Sequence, residues 1–299
     1  MTNDKMNLAD TLIHLLALAV RLEGEGQYNL AKLARAAADS LSRQAAYQVT
    51  VPSTREALAA DIKRTAEALA SLDVSGDLLS ALMQGAEVMA EGGLPLFSLI
   101  PHPYVCRSCG HLILAEPTET CPTCGAWSDT YQRFMPNYWF DALEPPAAMQ
   151  RLRQTPAEVE KLLEGLSDAQ LDWQPPDKGW AMRNILTHLR DAQGVLAFRL
   201  DLFRQEENPA LEAKAVWTWA ADEAERPFTA RDIFAVYKAA RAETVAGLEQ
   251  LPLTHWWRTG RHAEFGVVTL RQQVSYFAAH EVTHLSQMES LRRYLVGQV

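Results

Sequence analysis

Residues 104–134 read YVCRSCGHLILAEPTETCPTCGAWSDTYQRF, and this stretch divides a chain whose remainder carries helical periodicity. It holds all four cysteines of the 299-residue sequence, as two C-x2-C pairs, Cys106/Cys109 and Cys121/Cys124, with eleven residues between them. Each pair runs into a glycine, Gly110 and Gly125, which permits a tight turn under the sulfurs with positive φ. Four thiolates at this spacing suit zinc, or iron in a mononuclear sulfur site. Two disulfides are the competing reading. They would require an oxidising compartment and would leave the twin CxxCG turns without a purpose, so the spacing favours a metal.

In detail the segment resembles the rubredoxin-like module of rubrerythrins. The likeness lies in the opening Tyr104-x-Cys106-x-x-Cys109-Gly110, the closing Cys121-Pro122-x-Cys124-Gly125-Ala126, and an aromatic residue, Phe134, ten positions further on. It covers about thirty residues and implies Fe or Zn at the four cysteines without choosing between them. A nucleic-acid-binding zinc ribbon would need a basic surface. Here Arg107 and Arg133 are outnumbered by Glu116, Glu119 and Asp129, and the whole chain carries a formal charge of -9, so no nucleic-acid partner is expected.

Outward from the ribbon, both flanks read as helix, which makes the fold class mainly α. The expected division is an N-terminal helical bundle over 1–100, the metal ribbon over 101–140 and a second bundle over 141–299. In the first, Leu8, Leu12, Leu15, Leu16, Ala19 and Leu22 recur at helical spacing, and Gly24 and Gly26 interrupt them. A second helix follows over about Tyr28–Ala46, Ser53 with Glu56 reads as a capping box opening a third, and Asp77–Met89 forms a fourth. The apolar run Leu12–Val20 is too short to span a bilayer and is preceded by Asp4 and Asp10, so neither a membrane nor a targeting segment is expected. With the cysteines committed to metal, the expectation is a cytoplasmic protein. A full rubrerythrin reading fails, because no Glu-x-x-His pair precedes Cys106 and the only histidines there are His14 and His102.

Beyond Pro136, Pro145 and Pro146, the run Thr155-Pro156-x-Glu158 predicts a helix start. A long helix then carries Ile185, His188, Leu189, Ala192, Leu196 and Phe203. Thr229 with Asp232 caps a third helix and Thr269 with Gln272 a fourth, which gives a four-helix bundle. On the last helix His280 and His284 share the apolar stripe of Leu270, Phe277, Met288, Leu291 and Leu295. Residues four apart point the same way, so both imidazoles enter the bundle together, and His188 is a plausible third ligand from across the core. Three neutral imidazoles leave charge and coordination positions open, as a catalytic metal requires. Such a site would activate a water or bind a thiol as thiolate.

The motifs Gly179-Trp180, Ile185-Leu186-Thr187-His188-Leu189, His262-Ala263-Glu264-Phe265-Gly266 with Thr269-Leu270, and His280-x-x-x-His284-Leu285-x-Gln287 resemble the DinB/YfiT superfamily. That resemblance spans about residues 145–297. It implies a four-helix bundle with His188, His280 and His284 as ligands of a divalent metal (Zn, Ni or Fe), a homodimer, and activities among thiol-dependent transferases and hydrolases. The sequence departs from the family pattern at Ala181, where a hydroxyl N-cap is common, and at Gln193, where an acid is common. His280-Glu281-Val282-Thr283-His284 also matches H-E-x-x-H, but only fifteen residues follow His284 and Glu289 is the sole acid among them. Glu281 is retained as a candidate catalytic base and Asp191 as a weaker group beside the ligands. His255 and His262 read as loop histidines, and Trp217, Trp219, Trp256 and Trp257 as core or rim residues that could line a pocket above the metal.

The expected function is therefore a metal-dependent enzyme acting on a small molecule, with a thiol among the candidate substrates. The alternatives are electron transfer between a rubredoxin-type iron and a redox partner, and a non-catalytic metal- or ligand-binding protein.

Overall fold

The computed structural model describes residues 7–52, 54–72, 74–136, 142–175, 179–212 and 228–297. The chain forms two compact units, residues 1–90 with 105–132, and residues 91–104 with 133–299. No helix among the described residues is long and apolar enough to cross a membrane.

The first unit opens with two helix pairs, α1 (Leu8–Gly24) with α2 (Tyr28–Tyr47), and α3 (Arg55–Ala70) with α4 (Gly76–Ala90). Asn7 caps α1 by accepting the Asp10 N–H at 2.9 Å, and Gly26 at φ 73° lets the chain reverse into α2. Small residues set the α1/α2 seam: Ala19, Ala31 and Ala34 are buried, with Leu15 and Leu22 against them. The helix α3 starts one residue later than expected, with Thr54 accepting the Ala57 N–H at 3.3 Å; Ser53 lies outside the described residues.

The ribbon is a three-stranded sheet of order β2-β1-β3, with β1 Tyr104–Cys106, β2 Leu112–Ile113 and β3 Tyr131–Arg133. Its two knuckles repeat one geometry. Gly110 at φ 80° donates to the Cys106 carbonyl at 2.8 Å, and Gly125 at φ 72° to the Cys121 carbonyl at 2.9 Å. A side chain at either glycine would be strained in this left-handed region.

The second unit is a four-helix bundle of α5 (Pro145–Leu163), α7 (Met182–Gln205), α8 (Ala230–Glu249) and α9 (Leu270–Val296), with a short α6 (Asp168–Leu171) after α5. Around the bundle α5 neighbours α8 and α9, and α7 neighbours the same two, so α8 faces α9 across the core. The helix α5 begins at Pro145, eleven residues before the expected first position, Pro156. Pro145 and Pro146 take its first positions, where a missing N–H is harmless. Thr155 is instead inside the helix, its hydroxyl donating to the Arg151 carbonyl at 3.2 Å, and Glu158 pairs with Arg151. Pro156 removes the bond its own N–H would give to the Leu152 carbonyl, and the Arg241 guanidinium of α8 takes that carbonyl at 3.2 Å.

Two apolar clusters fill the bundle. One is built on Leu152, Leu196, Leu200, Phe203, Val274 and Phe277; the other on Val159, Leu163, Ile185, Leu189, Tyr237 and Met288. Between their positions on the four helices lies a polar layer of Thr155, Gln193, Arg241, Thr244 and Glu281, all buried. The helix α9 is therefore sorted along its axis into apolar, polar and again apolar.

A second small sheet of order β4-β5-β6 precedes α9. The strand β5 (Thr259–His262) pairs antiparallel with β6 (Gly266–Thr269), matching Thr259 to Thr269 and His262 to Gly266, and parallel with β4 (Ala210–Leu211). Burial alternates along β5, so Gly260 and His262 face inward. At Gly266, φ 66°, the Phe97 ring lies 3.0 Å from where a Cβ would sit.

Candidate functional site

Three histidines from two helices converge in the bundle. His188 projects from the middle of α7, where the spacing from Ile185 and to Ala192 puts it on the buried stripe. His280 and His284 project from successive turns of α9. The Nε2 atoms of His188 and His280 are 3.0 Å apart, as are those of His280 and His284. Neighbouring donors around an ion bound at about 2.0–2.1 Å lie roughly 3.0–3.4 Å apart, so the three rings fit one divalent ion.

The electrostatics agree with the geometry. Burial first, and then the neighbouring imidazoles, depress the His188 pKa to about 3 and that of His280 to about 4; burial lowers His284 as well. All three rings are therefore neutral at pH 7, with lone pairs available to a metal. Gln287 fixes the tautomer of His284: its Oε1 accepts from Nδ1 at 2.8 Å, which turns the Nε2 lone pair inward. The Trp180 ring stacks on His284 at 5.9 Å and the Tyr276 ring on His280 at 5.9 Å, and these aromatic faces limit the motion of both ligands. Next to Trp180 and His284 lies a cleft of about 810 Å³ walled by Trp173, Ile185, Leu291 and Tyr294.

Glu281, expected as a base, occupies another place. Its side chain is 2% exposed and both carboxylate oxygens are held by Arg241, Oε2 by Nη1 at 2.9 Å and Oε1 by Nη2. The Tyr237 hydroxyl also donates to Oε1, at 3.4 Å. A carboxylate so engaged is a counter-ion rather than a free proton acceptor. Arg241 continues the layer by donating Nε to Gln193 Oε1 at 2.6 Å, and the Gln193 amide donates to Thr244 at 2.6 Å. Gln193 thus serves the guanidinium, and the departure from the family pattern at that position is absorbed by this network. The sequence reading missed Arg241. The signal was its place on the stripe of Ile233, Phe234, Tyr237, Thr244, Val245 and Leu248, where a charge needs a buried partner.

Other expectations fall elsewhere. Asp191 pairs with Arg190 at 2.8 Å. His262 is no surface loop residue: it ends β5, buried, with Nδ1 accepting the N–H groups of Glu264 at 3.1 Å and Phe265 at 3.3 Å. Trp256 is a core residue of the bundle and Trp257 is exposed with Arg271 over its ring. Trp217 and Trp219 lie outside the described residues. Ala181 caps α7 without a side-chain acceptor, and Asn184 Oδ1 instead accepts the Ala181 N–H at 3.0 Å.

The ribbon brings its four sulfurs together, with Cys106 to Cys124 at 3.8 Å and Cys109 to Cys121 at 3.7 Å. The edge of a tetrahedron with metal–sulfur bonds of about 2.3 Å is about 3.8 Å, so this group fits a four-thiolate ion. Cys121 is poised to ionise. Burial would raise its pKa, but hydrogen bonds from the Tyr131 hydroxyl and from the backbone at Cys124 and Thr123 outweigh it and bring the thiol to about 6. Cys106 and Cys121 are buried, Cys109 and Cys124 exposed.

A helical bundle whose three converging imidazoles could hold a metal ion defines the class of site, and the chain is similar to the following known proteins. Residues 151–288 match the DinB superfamily. A "Putative metal-dependent hydrolase YfiT" from Bacillus subtilis (strain 168) is 24% identical over 146 residues, 48% of this chain and 82% of the relative. A second protein of that description from Oceanobacillus iheyensis is 27% identical over 126 residues, 42% of this chain and 73% of the relative. The solved structure of YfiT, described as "a probable metal-dependent hydrolase with an unusual four-helix bundle topology", is similar over 54% of this chain and 93% of its own, at 22% identity and a TM-score of 0.47.

Proposed function

We propose that the C-terminal bundle is a metal-dependent enzyme of the hydrolase or thiol-transferase type, holding a divalent ion (Zn, Ni or Fe) with His188, His280 and His284. The convergence of three neutral imidazoles, His188 and His284 buried and His280 partly buried, within coordination distance of one another carries this reading. The names of the similar bacterial proteins support its hydrolytic version. A divalent ion in such a site supplies Lewis acidity, able to polarise a carbonyl or to lower the pKa of a water or thiol towards about 7.

The chain's own residues supply the rest. Gln287 holds the His284 proton on Nδ1. Trp180 and Tyr276 keep two of the rings in plane, and the aromatic cleft beside His284 offers a seat for an apolar part of a small-molecule substrate. The Arg241–Glu281 pair anchors α9 beside His280 and one turn before His284. Glu281, with both oxygens engaged, is assigned to this anchoring rather than to proton abstraction.

The test is a screen of metal-stripped and metal-reloaded protein against ester and thiol-acceptor substrates. Turnover that requires the reloaded metal and is abolished in His188→Ala is the expected result. Turnover undiminished in that variant would contradict the proposal.

Electron transfer through the ribbon is a second reading, favoured by the exposure of Cys109 and Cys124, which brings two sulfurs of the site within reach of a partner. Iron at the four cysteines would colour the purified protein and bleach on reduction. A colourless protein with stoichiometric zinc at the ribbon would leave that module structural.

A further inference from the structure

We propose that Arg199 and Gln273 form a carboxylate-binding subsite in the bundle, one that holds the anionic end of an elongated substrate whose reacting end lies at the three histidines. The link to catalysis rests on the metal reading above, whereas anion binding itself does not.

Arg199 lies on the inner stripe of α7 and is only 6% exposed. Its Nη1 donates to Gln273 Oε1 at 2.9 Å and its Nη2 to the Glu212 carbonyl at 2.7 Å. Both acceptors are neutral, and among the described residues no carboxylate forms an ion pair with this guanidinium. Glu264 and Tyr276 feel its charge without bonding to it. The contrast with Arg241, also buried but matched oxygen for nitrogen by Glu281, is sharp. A guanidinium has five N–H donors, and an uncompensated buried charge is strongly unfavourable unless an anion completes it.

Gln273 makes the same demand independently. It is fully buried, its Oε1 accepts from Arg199, and its Nε2 has no acceptor in reach. An unsatisfied buried amide donor beside an unmatched cation asks for one acceptor group that serves both. A carboxylate fits best: it is planar, accepts bidentately from arginine, and as a monoanion balances the single cation.

The subsite shares a helix face with the candidate metal site. Gln273 and His280 are seven residues apart on α9, two turns or about 10 Å along the axis. Tyr276 lies between them in sequence, its ring stacked on His280 at 5.9 Å. A carboxylate held at Arg199 would therefore set the length of substrate that reaches the histidines.

Acetate is the probe. Thermal unfolding of the full-length metal-loaded protein is followed as acetate replaces chloride at fixed ionic strength. The expected result is a saturable rise in Tm that vanishes in Arg199→Gln. In Gln273→Glu, which places a carboxylate against Nη1, Tm should be raised without acetate and the acetate response lost. In His280→Ala the response should persist, so a failed metal reading would leave this inference standing. An unsaturable or absent response in the wild type would overturn it. So would an undiminished response in either Arg199→Gln or Gln273→Glu.

Discussion

The four-cysteine ribbon and the three-histidine site solve the same problem from opposite ends. In the ribbon all ligands lie within nineteen residues, on two copies of one glycine turn, and four thiolates close the coordination sphere around an ion. In the bundle the ligands stand ninety-two residues apart in sequence, on α7 and α9, and the rings are neutral and fewer than a closed site needs. With an ion bound there, the ribbon would draw its shape from that ion. The bundle is shaped by apolar clusters and a buried ion pair, and can present its site before the ion arrives. One site is suited to structure or electron transfer, the other to chemistry.

This contrast can be broken most forcefully at the ribbon. Cys121→Ala with Cys124→Ala should abolish its metal and its fold, because a structural zinc module draws on the order of 10–16 kcal/mol from binding. The bundle should keep its melting transition, read by calorimetry. A ribbon that retained ordered amide signals in NMR without metal would erase the distinction.

The bundle's independence of metal rests on Arg241. Arg241→Met alone strands Glu281 and should destabilise the metal-free protein by about 3–5 kcal/mol in urea unfolding. Arg241→Met with Glu281→Met should recover most of that loss, since an apolar pair of similar volume replaces two desolvated charges. Equal losses in the single and double variants would show that the pair is not the anchor. Next in size is Gln287→Ala, expected to weaken metal binding at the bundle about 10–100-fold while leaving the ribbon unaffected, measured by competition with a chelator.

A further effect concerns pH. His188 and His280 have folded-state pKa values of about 3 and 4, below the unfolded value near 6.5. Between these limits the unfolded chain binds more protons, so stability of the metal-free bundle is full above about 6.5 and falls as the pH drops. Buried His262, also near 3, adds with the same sign. Urea midpoints at pH 7.5 and 5.5 should differ in that direction, and less so in His188→Ala.

What could be read in the sequence follows the same division. The gathering of the four cysteines was legible, because they are local in sequence and their turns require glycine. The triad was legible through the i, i+4 spacing of His280 and His284 on an apolar stripe, with His188 supplied by its place on another. The start of α5 was misread, since Thr155-Pro156-x-Glu158 imitates a helix opening. Only the tertiary structure shows Arg241 satisfying the carbonyl that Pro156 leaves bare. The β5–β6 hairpin went unseen because glycine and arginine break the apolar alternation, and His262 was misplaced with it. The polar layer was missed for a different reason: Gln193 and Glu281 stood out only singly and Arg241 lay on an apolar stripe, and the three acquire their shared meaning only across the core.

Metal stoichiometry in wild type and in His280→Ala/His284→Ala tests the central claim most directly. The account predicts two metal equivalents per chain in the wild type and one in the variant, the survivor bound by Cys106, Cys109, Cys121 and Cys124. A variant whose folded bundle retained both equivalents would contradict it.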